Sequence, residues 1–355
     1  MNERIAVLSC GGTIAMATGA DEALRPELTG QQLKDSIPSL NNTGVEFEVF
    51  EVFNKDSTNV TPEDWGTLSN KIAEVQPNYH GVIVTHGTDT MAQTASATAF
   101  ALGSKLPIPV VFTGSQLPLQ ALRTDAIQNV ESAVQVTLAA SREDINEAMV
   151  VFSHRVLRAV RTIKTSEIQF NAFDSPAFPH LADLTADDHI VFGPVAKRER
   201  SIKGLAMQPV STFDRGVLEI PANTTTDPDI MMPSIMHEKC AAVILRSVGA
   251  GNVPDADAES PDKSGETVYS FLPLIEQSLE AGKPVILTSS FVGGRTRPDM
   301  YAPGKAALEA GAGHAGNMTD VAAKVKLMWL LGQGIRDPQN VRDAMLTPVV
   351  GEIDL

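Results

Sequence analysis

The sequence predicts an α/β protein of two doubly wound domains: a larger N-terminal one around a mostly parallel sheet, and a smaller C-terminal one with its own parallel sheet. Three observations carry that prediction. Short apolar runs recur at Ile5 to Leu8, Val82 to Val84, Val110 to Phe112, Ala148 to Phe152, Ala241 to Leu245 and Val285 to Leu287, each continuous, as in strands covered on both faces. Helix-length segments alternate with them, which points to parallel pairing through crossover helices. At 355 residues the chain also exceeds one ordinary core. The alternation lapses over residues 196–213, where the basic turn Lys197-Arg198-Glu199-Arg200 and Pro209 mark a linker, so the domains are expected at 1–195 and 214–355.

Ile5 to Leu8 reads as the first strand, and Ser9-Cys10-Gly11-Gly12-Thr13-Ile14-Ala15 is the loop at its end. The paired glycines allow a sharp turn that brings Thr13 against a ligand. Met16 to Leu28 lacks any period and contains Gly19 and Pro26, as a lid over a site would. Helical spacing runs from Thr29 to Ile37, a strand from Phe47 to Phe53, and the polar loop Asp56-Ser57-Thr58-Asn59 follows. Thr61, with Pro62 next and an acidic residue three positions on, starts a helix. Val82-Ile83-Val84 leads into Thr85-His86-Gly87-Thr88-Asp89-Thr90-Met91 and then a small-residue helix from Ala92 to Leu102. Val110-Val111-Phe112 ends likewise in Thr113-Gly114-Ser115-Gln116. Three successive strands thus deliver small hydroxyl residues to one edge of a parallel sheet, where open α/β sheets hold their ligands. A helix from Asp125 to Ala140, a strand from Ala148 to Phe152, a polar crossing segment from Ala159 to Thr165 and the strand-like Ile190-Val191-Phe192 complete the first half.

The second half restarts the pattern. Ala241 to Leu245 ends in Arg246-Ser247-Val248-Gly249-Ala250-Gly251-Asn252, another glycine-bearing loop. An acidic excursion from Val253 to Ser270 precedes a helix from Phe271 to Glu280, a strand from Val285 to Leu287 and a Gly/Pro-rich stretch from Gly293 to Gly304. A last helix is capped by Thr319 and runs from Val321 to Leu331, with Ala322, Val325, Met328 and Trp329 on its packed stripe.

Charge and composition exclude several classes of function. A net charge of −15 without a dense basic stripe argues against a nucleic-acid surface. Two cysteines, Cys10 and Cys240, build neither a disulfide framework nor a CxxC zinc pattern, which fits a cytoplasmic setting. The opening apolar run is too short for a signal peptide, and no stretch has the length of a membrane span. The seven histidines form no HxxH or HxxxH pair, so no metal site is expected. The GxxxxGK[ST] nucleotide cradle and the GxSxG hydrolase elbow are absent too.

What remains is a threonine-centred site. Thr13 and Thr88 supply hydroxyls, Asp89 a carboxylate, and Lys164 a partner able to lower a hydroxyl's effective pKa or relay its proton. Asp89 would hold a substrate ammonium, while Ser57, Thr58 and backbone N–H groups hold its carboxylate. Taken alone, Thr88-Asp89 fits an N-cap and turn equally well. His86 reads as a packed strand-end residue rather than a general base.

Gly11-Gly12-Thr13-Ile14-Ala15 and His86-Gly87-Thr88-Asp89-Thr90-Met91 resemble the two signature motifs of the bacterial-type L-asparaginases. The likeness extends through Asp56-Ser57-Thr58, Thr113-Gly114-Ser115-Gln116, the loop from Arg246 to Asn252, and Arg342-Asp343-Ala344-Met345, and in its details is closest to the cytoplasmic type I enzymes. The resemblance implies hydrolysis of L-asparagine to aspartate and ammonia with no cofactor or metal. It implies Thr13 as nucleophile, Thr88, Asp89 and Lys164 as the second catalytic group, Ser57 and Thr58 as the substrate-carboxylate loop, and Ser115 near the side-chain amide. Asn252 matches a residue given to the neighbouring subunit's site, so a homo-oligomer, dimer or dimer of dimers, is implied.

Two departures stand out. The family's lid tyrosine has no counterpart, since the tyrosines here are Tyr79, Tyr269 and Tyr301, and Leu24 or Glu27 falls near its place. The Thr and Cys of a second, regulatory site are matched by Ile163 and Phe291, so no activation by asparagine is expected. Two other functions stand beside the hydrolase. One is the asparaginase-like subunit of a glutamyl-tRNA(Gln) amidotransferase, a family that adds an N-terminal domain whereas Ile5 here starts the core strand at once. The other is a catalytically weakened amino-acid sensor.

Overall fold

The computed structural model describes residues 3–12, 16–18, 24–26, 37, 44–186, 189–196, 207–255 and 269–354. The chain forms two compact units, Met1–Ser211 and Thr212–Leu355. In chain order the first contains β1 (Arg4–Gly11), a backbone hairpin of β2 (Met16–Thr18) and β3 (Leu24–Pro26), β4 (Glu46–Lys55), α1 (Pro62–Val75), β5 (Gly81–Thr85), α2 (Met91–Leu102), β6 (Val110–Thr113), α3 (Ala126–Arg142), β7 (Ala148–Phe152), β8 (Arg155–Arg158), β9 (Ile163–Lys164), β10 (Phe173–Asp174) and β11 (Ala182–Asp183).

Seven of these strands make one sheet in the order β11-β8-β7-β6-β5-β1-β4. The run from β4 to β7 is parallel, and β8 and β11 add an antiparallel edge. β5, β6 and β7 are buried at every position, which explains their unbroken apolar sequences. β4 closes the other edge and turns Glu46, Glu48 and Glu51 to solvent, an arrangement that discourages pairing with another chain. α3 covers one face through Val130, Ala133, Val134 and Val136, in a core shared with Ile83, Val111, Met149 and Val151. α2 is buried over almost its whole length, and its alanines, serines and threonines let it lie close to its neighbours. From β1 the chain passes first to β4 on one side and then to β5 on the other. That reversal opens a crevice at the carboxyl ends of β1 and β5.

The second unit holds β12 (Val217–Pro221), α4 (Pro228–Met236), β13 (Ala242–Ser247), α5 (Leu272–Glu280), β14 (Val285–Ser289), α6 (Ala302–Glu309), β15 (Gly313–His314), α7 (Asp320–Gly332) and α8 (Pro338–Leu346). Its sheet, β12-β13-β14-β15, is parallel throughout. The mostly parallel first sheet and the parallel second one agree with the expected fold class. Thr319 caps α7 by accepting the Ala322 N–H at 3.0 Å. Lys326 of that helix is fully buried, donating to Glu352 Oε1 at 2.6 Å and to the Met345 and Thr347 carbonyls at 2.9 and 2.6 Å.

Some expectations change. No strand forms at Ile190-Val191-Phe192; Val191 is 76 % exposed, and just beyond the segment the Gly193 N–H donates to the Leu181 carbonyl. The crossing segment from Ala159 to Thr165 contains a 3-10 turn and β9. The expected lid shows a backbone hairpin at Met16–Thr18 and Leu24–Pro26. Thr13, Glu27, the basic turn at 197–200 and all of the Thr29-to-Ile37 segment except Ile37 lie outside the described residues. Among the described residues no helix is long and apolar enough to cross a membrane, and no cluster of His, Cys, Asp and Glu could hold a metal ion.

Candidate active site

Because β4, β1, β5 and β6 are adjacent and parallel, their four carboxyl-end loops share one edge of the sheet. Glycines bring those loops into backbone contact. The Gly12 N–H donates to the Lys55 carbonyl at 3.1 Å, and the His86 N–H donates to the Thr113 carbonyl at 2.9 Å. Gly12 has φ +87°, and a Cβ there would overlap Gly87. The Thr90 hydroxyl donates to the Ser57 carbonyl at 2.7 Å, joining the β4 loop to the start of α2.

Thr88, Asp89 and Lys164 meet in this crevice. Lys164 Nζ donates to Thr88 Oγ1 at 2.8 Å and to Asp89 Oδ1 at 2.7 Å. Thr88 is 5 % exposed and the Lys164 side chain 16 %, whereas that of Asp89 is 57 % exposed and open to a ligand. Lys164 arrives from β9, which pairs with β10 outside the main sheet. Thr88 Oγ1 accepts from Lys164 and donates to Gln116 Oε1 at 3.3 Å. A threonine hydroxyl is thereby held between a cation and an acceptor, the arrangement needed to move its proton in a defined direction.

Sequence patterns alone do not single out Gln116 or Asp125. Asp125 precedes α3, where its type suggests only a cap, but its carboxylate instead accepts the Gln116 and Leu117 N–H groups at 2.9 and 3.0 Å. It also accepts from Asn129 Nδ2 at 3.0 Å, and Asn129 in turn donates to the Gly114 carbonyl. The loop that presents Gln116 to Thr88 is therefore tied to the helix beneath it. The one sequence signal for Gln116 is its place as the last member of a strand-end motif.

The other expected residues divide. Ser57 is buried and faces Gly87. The Thr58 hydroxyl and N–H both bond Asp56 Oδ1, at 2.7 and 2.9 Å, so Thr58 shapes its own loop. Ser115 is fully buried and donates to the Leu117 carbonyl at 2.7 Å. Asn252 lies in the second unit, bridged to Val248, with Oδ1 buried and lacking a hydrogen-bond partner among the described residues. His86 is completely buried with Nδ1 2.7 Å from the Gly87 carbonyl, and burial pushes its pKa down to about 4, so it is neutral.

Comparison with known proteins gives the family. The family model for the asparaginase N-terminal domain matches residues 4–196, and that for the glutaminase/asparaginase C-terminal domain matches 221–345. L-asparaginase from Thermococcus kodakarensis is 30 % identical over 99 % of both chains, and L-asparaginase 1 from Escherichia coli is 34 % identical over 84 % of this chain and 82 % of its own. A solved structure of the thermostable T. kodakarensis L-asparaginase superposes with a TM-score of 0.85 at 29 % identity, covering 99 % of each chain. A glutamyl-tRNA(Gln) amidotransferase subunit from Aeropyrum pernix is 30 % identical over 99 % of this chain and 79 % of its own. With both halves matched in order and full-length relatives at this identity, the chain belongs to the asparaginase family.

Proposed function

We propose that the protein hydrolyses L-asparagine to L-aspartate and ammonia. The observation that carries this reading is Lys164 Nζ between Thr88 Oγ1 at 2.8 Å and Asp89 Oδ1 at 2.7 Å, at the carboxyl end of β5. In this reading Asp89 receives the substrate ammonium, and Ser57 and Thr58 flank its carboxylate. A hydroxyl attacks the side-chain carboxamide, the C–N bond breaks as the nitrogen gains a proton, and water releases aspartate. Thr13 is the nucleophile of a covalent acyl-threonine route. In the alternative route, Thr88 with Lys164 activates water directly. No step calls for a cofactor.

Ser115 sets the turn beside the amide pocket through its bond to Leu117, and it acts by shaping that loop. Asn252, whose buried Oδ1 lacks a partner among the described residues, completes the site of a neighbouring copy in a homo-oligomer, dimer or tetramer. Two buried free cysteines, Cys10 and Cys240, fit a cytoplasmic setting.

Ammonia release from L-asparagine, L-glutamine and D-asparagine tests the reaction and its specificity, and sedimentation tests the assembly. Thr13→Ala should abolish release while leaving the circular dichroism spectrum unchanged; full activity in that variant excludes the covalent route. The match to the amidotransferase protein favours a second reading, in which ammonia is delivered to a partner enzyme. Release that depends on tRNA or on a co-purifying partner chain would replace the first reading with this one. The net charge of −15 weighs against a tRNA surface on this chain.

A further inference from the structure

Lys164 is carried by a strand outside the main sheet. β9 pairs with β10, Lys164 opposite Phe173 and Ile163 opposite Asp174, and the two form a separate two-stranded sheet. The backbone that carries Lys164 is therefore paired through β10. Asp174 of β10 meets His180 Nε2 at 2.9 Å with one carboxylate oxygen, and Arg155 Nη1 at 3.1 Å with the other. The second ring nitrogen of His180, Nδ1, lies 2.7 Å from Asp183 Oδ1. Asp183 belongs to β11, where it pairs with Arg155 of β8 at the edge of the main sheet.

Carboxylates only accept hydrogen bonds, so both ring nitrogens must carry protons for both contacts to form. His180 is then an imidazolium that fastens the hairpin bearing Lys164 to the main sheet. Resting on the asparaginase reading above, we propose that His180 is a positioning residue of the active site, whose charge aligns β10 and through it Lys164 against Thr88 and Asp89.

The charged groups facing His180 are Asp174 on β10, Asp183 on β11 and, through Asp174, Arg155 on β8. Arg158 and Arg161 both stack on Phe178, two residues away, at 4.6 Å. Burial opposes the charge on His180, but its bonds to the two carboxylates outweigh burial and raise its pKa above the ordinary 6.5. The sign follows: the clamp is intact below the unfolded value and is lost as pH rises through the raised folded value. Phe173 packs against Phe152 at 4.9 Å between ring centroids, and its carbonyl accepts from Arg155 Nη1 at 3.0 Å, so losing the clamp shifts the alignment of the hairpin rather than releasing it.

The test is a pH profile of ammonia release for the wild type and two variants. Because the His180 side chain is 25 % exposed, the effect is modest. His180→Gln should lower kcat at neutral pH about fivefold, leave KM little changed and flatten the alkaline limb. His180→Arg, charged at every pH and planar enough to reach both carboxylates, should keep kcat and move that limb upward. Wild-type profiles in both variants overturn the proposal. Hydrogen exchange at the Thr165 amide, bonded to the Ala172 carbonyl at 2.7 Å, reads the clamp without substrate. Faster exchange in His180→Gln but not in His180→Arg supports it, and unchanged exchange in His180→Gln overturns it. A wild type that releases no ammonia yet shows this exchange pattern sinks the asparaginase reading and still supports the clamp.

Discussion

Gly12 and Gly87 meet backbone to backbone: a Cβ on Gly12 would stand 2.1 Å from the Gly87 nitrogen, and one on Gly87 would stand 3.1 Å from the Gly12 Cα. The loops after β1 and β5 can approach this closely only because neither residue has a side chain. Ser57 closes the third side, 2.6 Å from where a Gly87 Cβ would lie.

Alanine at either glycine should therefore push the loops apart. For Gly12→Ala, φ +87° adds backbone strain of about 1–3 kcal/mol. A displacement of the loops by about an ångström should lower kcat on the order of a hundredfold. Thermal unfolding and ammonia release measure the two effects separately. An undiminished kcat in both variants would mean that the loops do not need this contact for catalysis.

Lys164→Met removes the cation shared by Thr88 and Asp89. The Asp89 side chain is 57 % exposed, so stability should change little, while activity falls about 10²–10⁴-fold. Lys164→Arg should not restore it, because a planar guanidinium cannot replace a compact ammonium reaching two oxygens from one nitrogen. Thr88→Val should cost nearly as much, and the double variant Thr88→Val/Lys164→Met little more than either alone, since the two act as one unit. Fully additive losses in steady-state kinetics would show that they act separately.

Lys164 also marks the boundary of what the chain discloses when read as a string. Val82-Ile83-Val84 announces a central strand because a strand buried on both faces must be apolar at every position. That places Thr88 and Asp89 at a sheet mouth. β8 and β12 are hidden because Arg155, Arg158 and Glu219 interrupt their apolar runs with charges that the fold pairs internally, Arg158 with Glu147 at 2.7 Å and Glu219 with Lys324 at 3.1 Å. Lys164 lies 76 residues from Thr88, and its segment has no period, so family resemblance points to it and periodicity does not. Asp125 resembles any helix-start aspartate until its carboxylate is seen to hold the amides of Gln116 and Leu117. The carboxylates around His180 come from separate strands, and no spacing rule connects them.

In the second unit, Lys326 and Glu352 are both fully buried and bonded at 2.6 Å. Burial lowers the pKa of Lys326, and Glu352 opposes that shift. Glu352 also accepts the Val349 and Val350 N–H groups at 3.1 and 2.8 Å, so the pair pins the chain's end to α7. Lys326→Met leaves the carboxylate buried without its cation and should cost about 3–5 kcal/mol. Adding Glu352→Gln keeps an acceptor for the two amides and should recover a large part of the loss. Calorimetric unfolding checks this, and a double variant no more stable than Lys326→Met would contradict it.

His86 makes acid stability a property of the site itself. Folded, it is buried, neutral and pushed down to about 4, with Nε2 enclosed and lacking a partner among the described residues; unfolded, it takes up a proton near its ordinary 6.5. Between those values the unfolded chain binds more protons, so stability is complete above the unfolded value and declines as pH falls toward the folded one. The decline is at most about 1.4 kcal/mol per pH unit. Asp64 contributes below that window: burial opposes its charge, but Lys55 at 2.7 Å and its bonds from Thr61 keep it lower than usual, so its share disappears only as pH falls further. Urea unfolding followed through Trp65 in a Trp329→Phe background separates the two windows in the first unit. His86→Gln cannot titrate and should flatten the upper window while leaving the lower one, whereas parallel curves for variant and wild type would place the acid lability elsewhere.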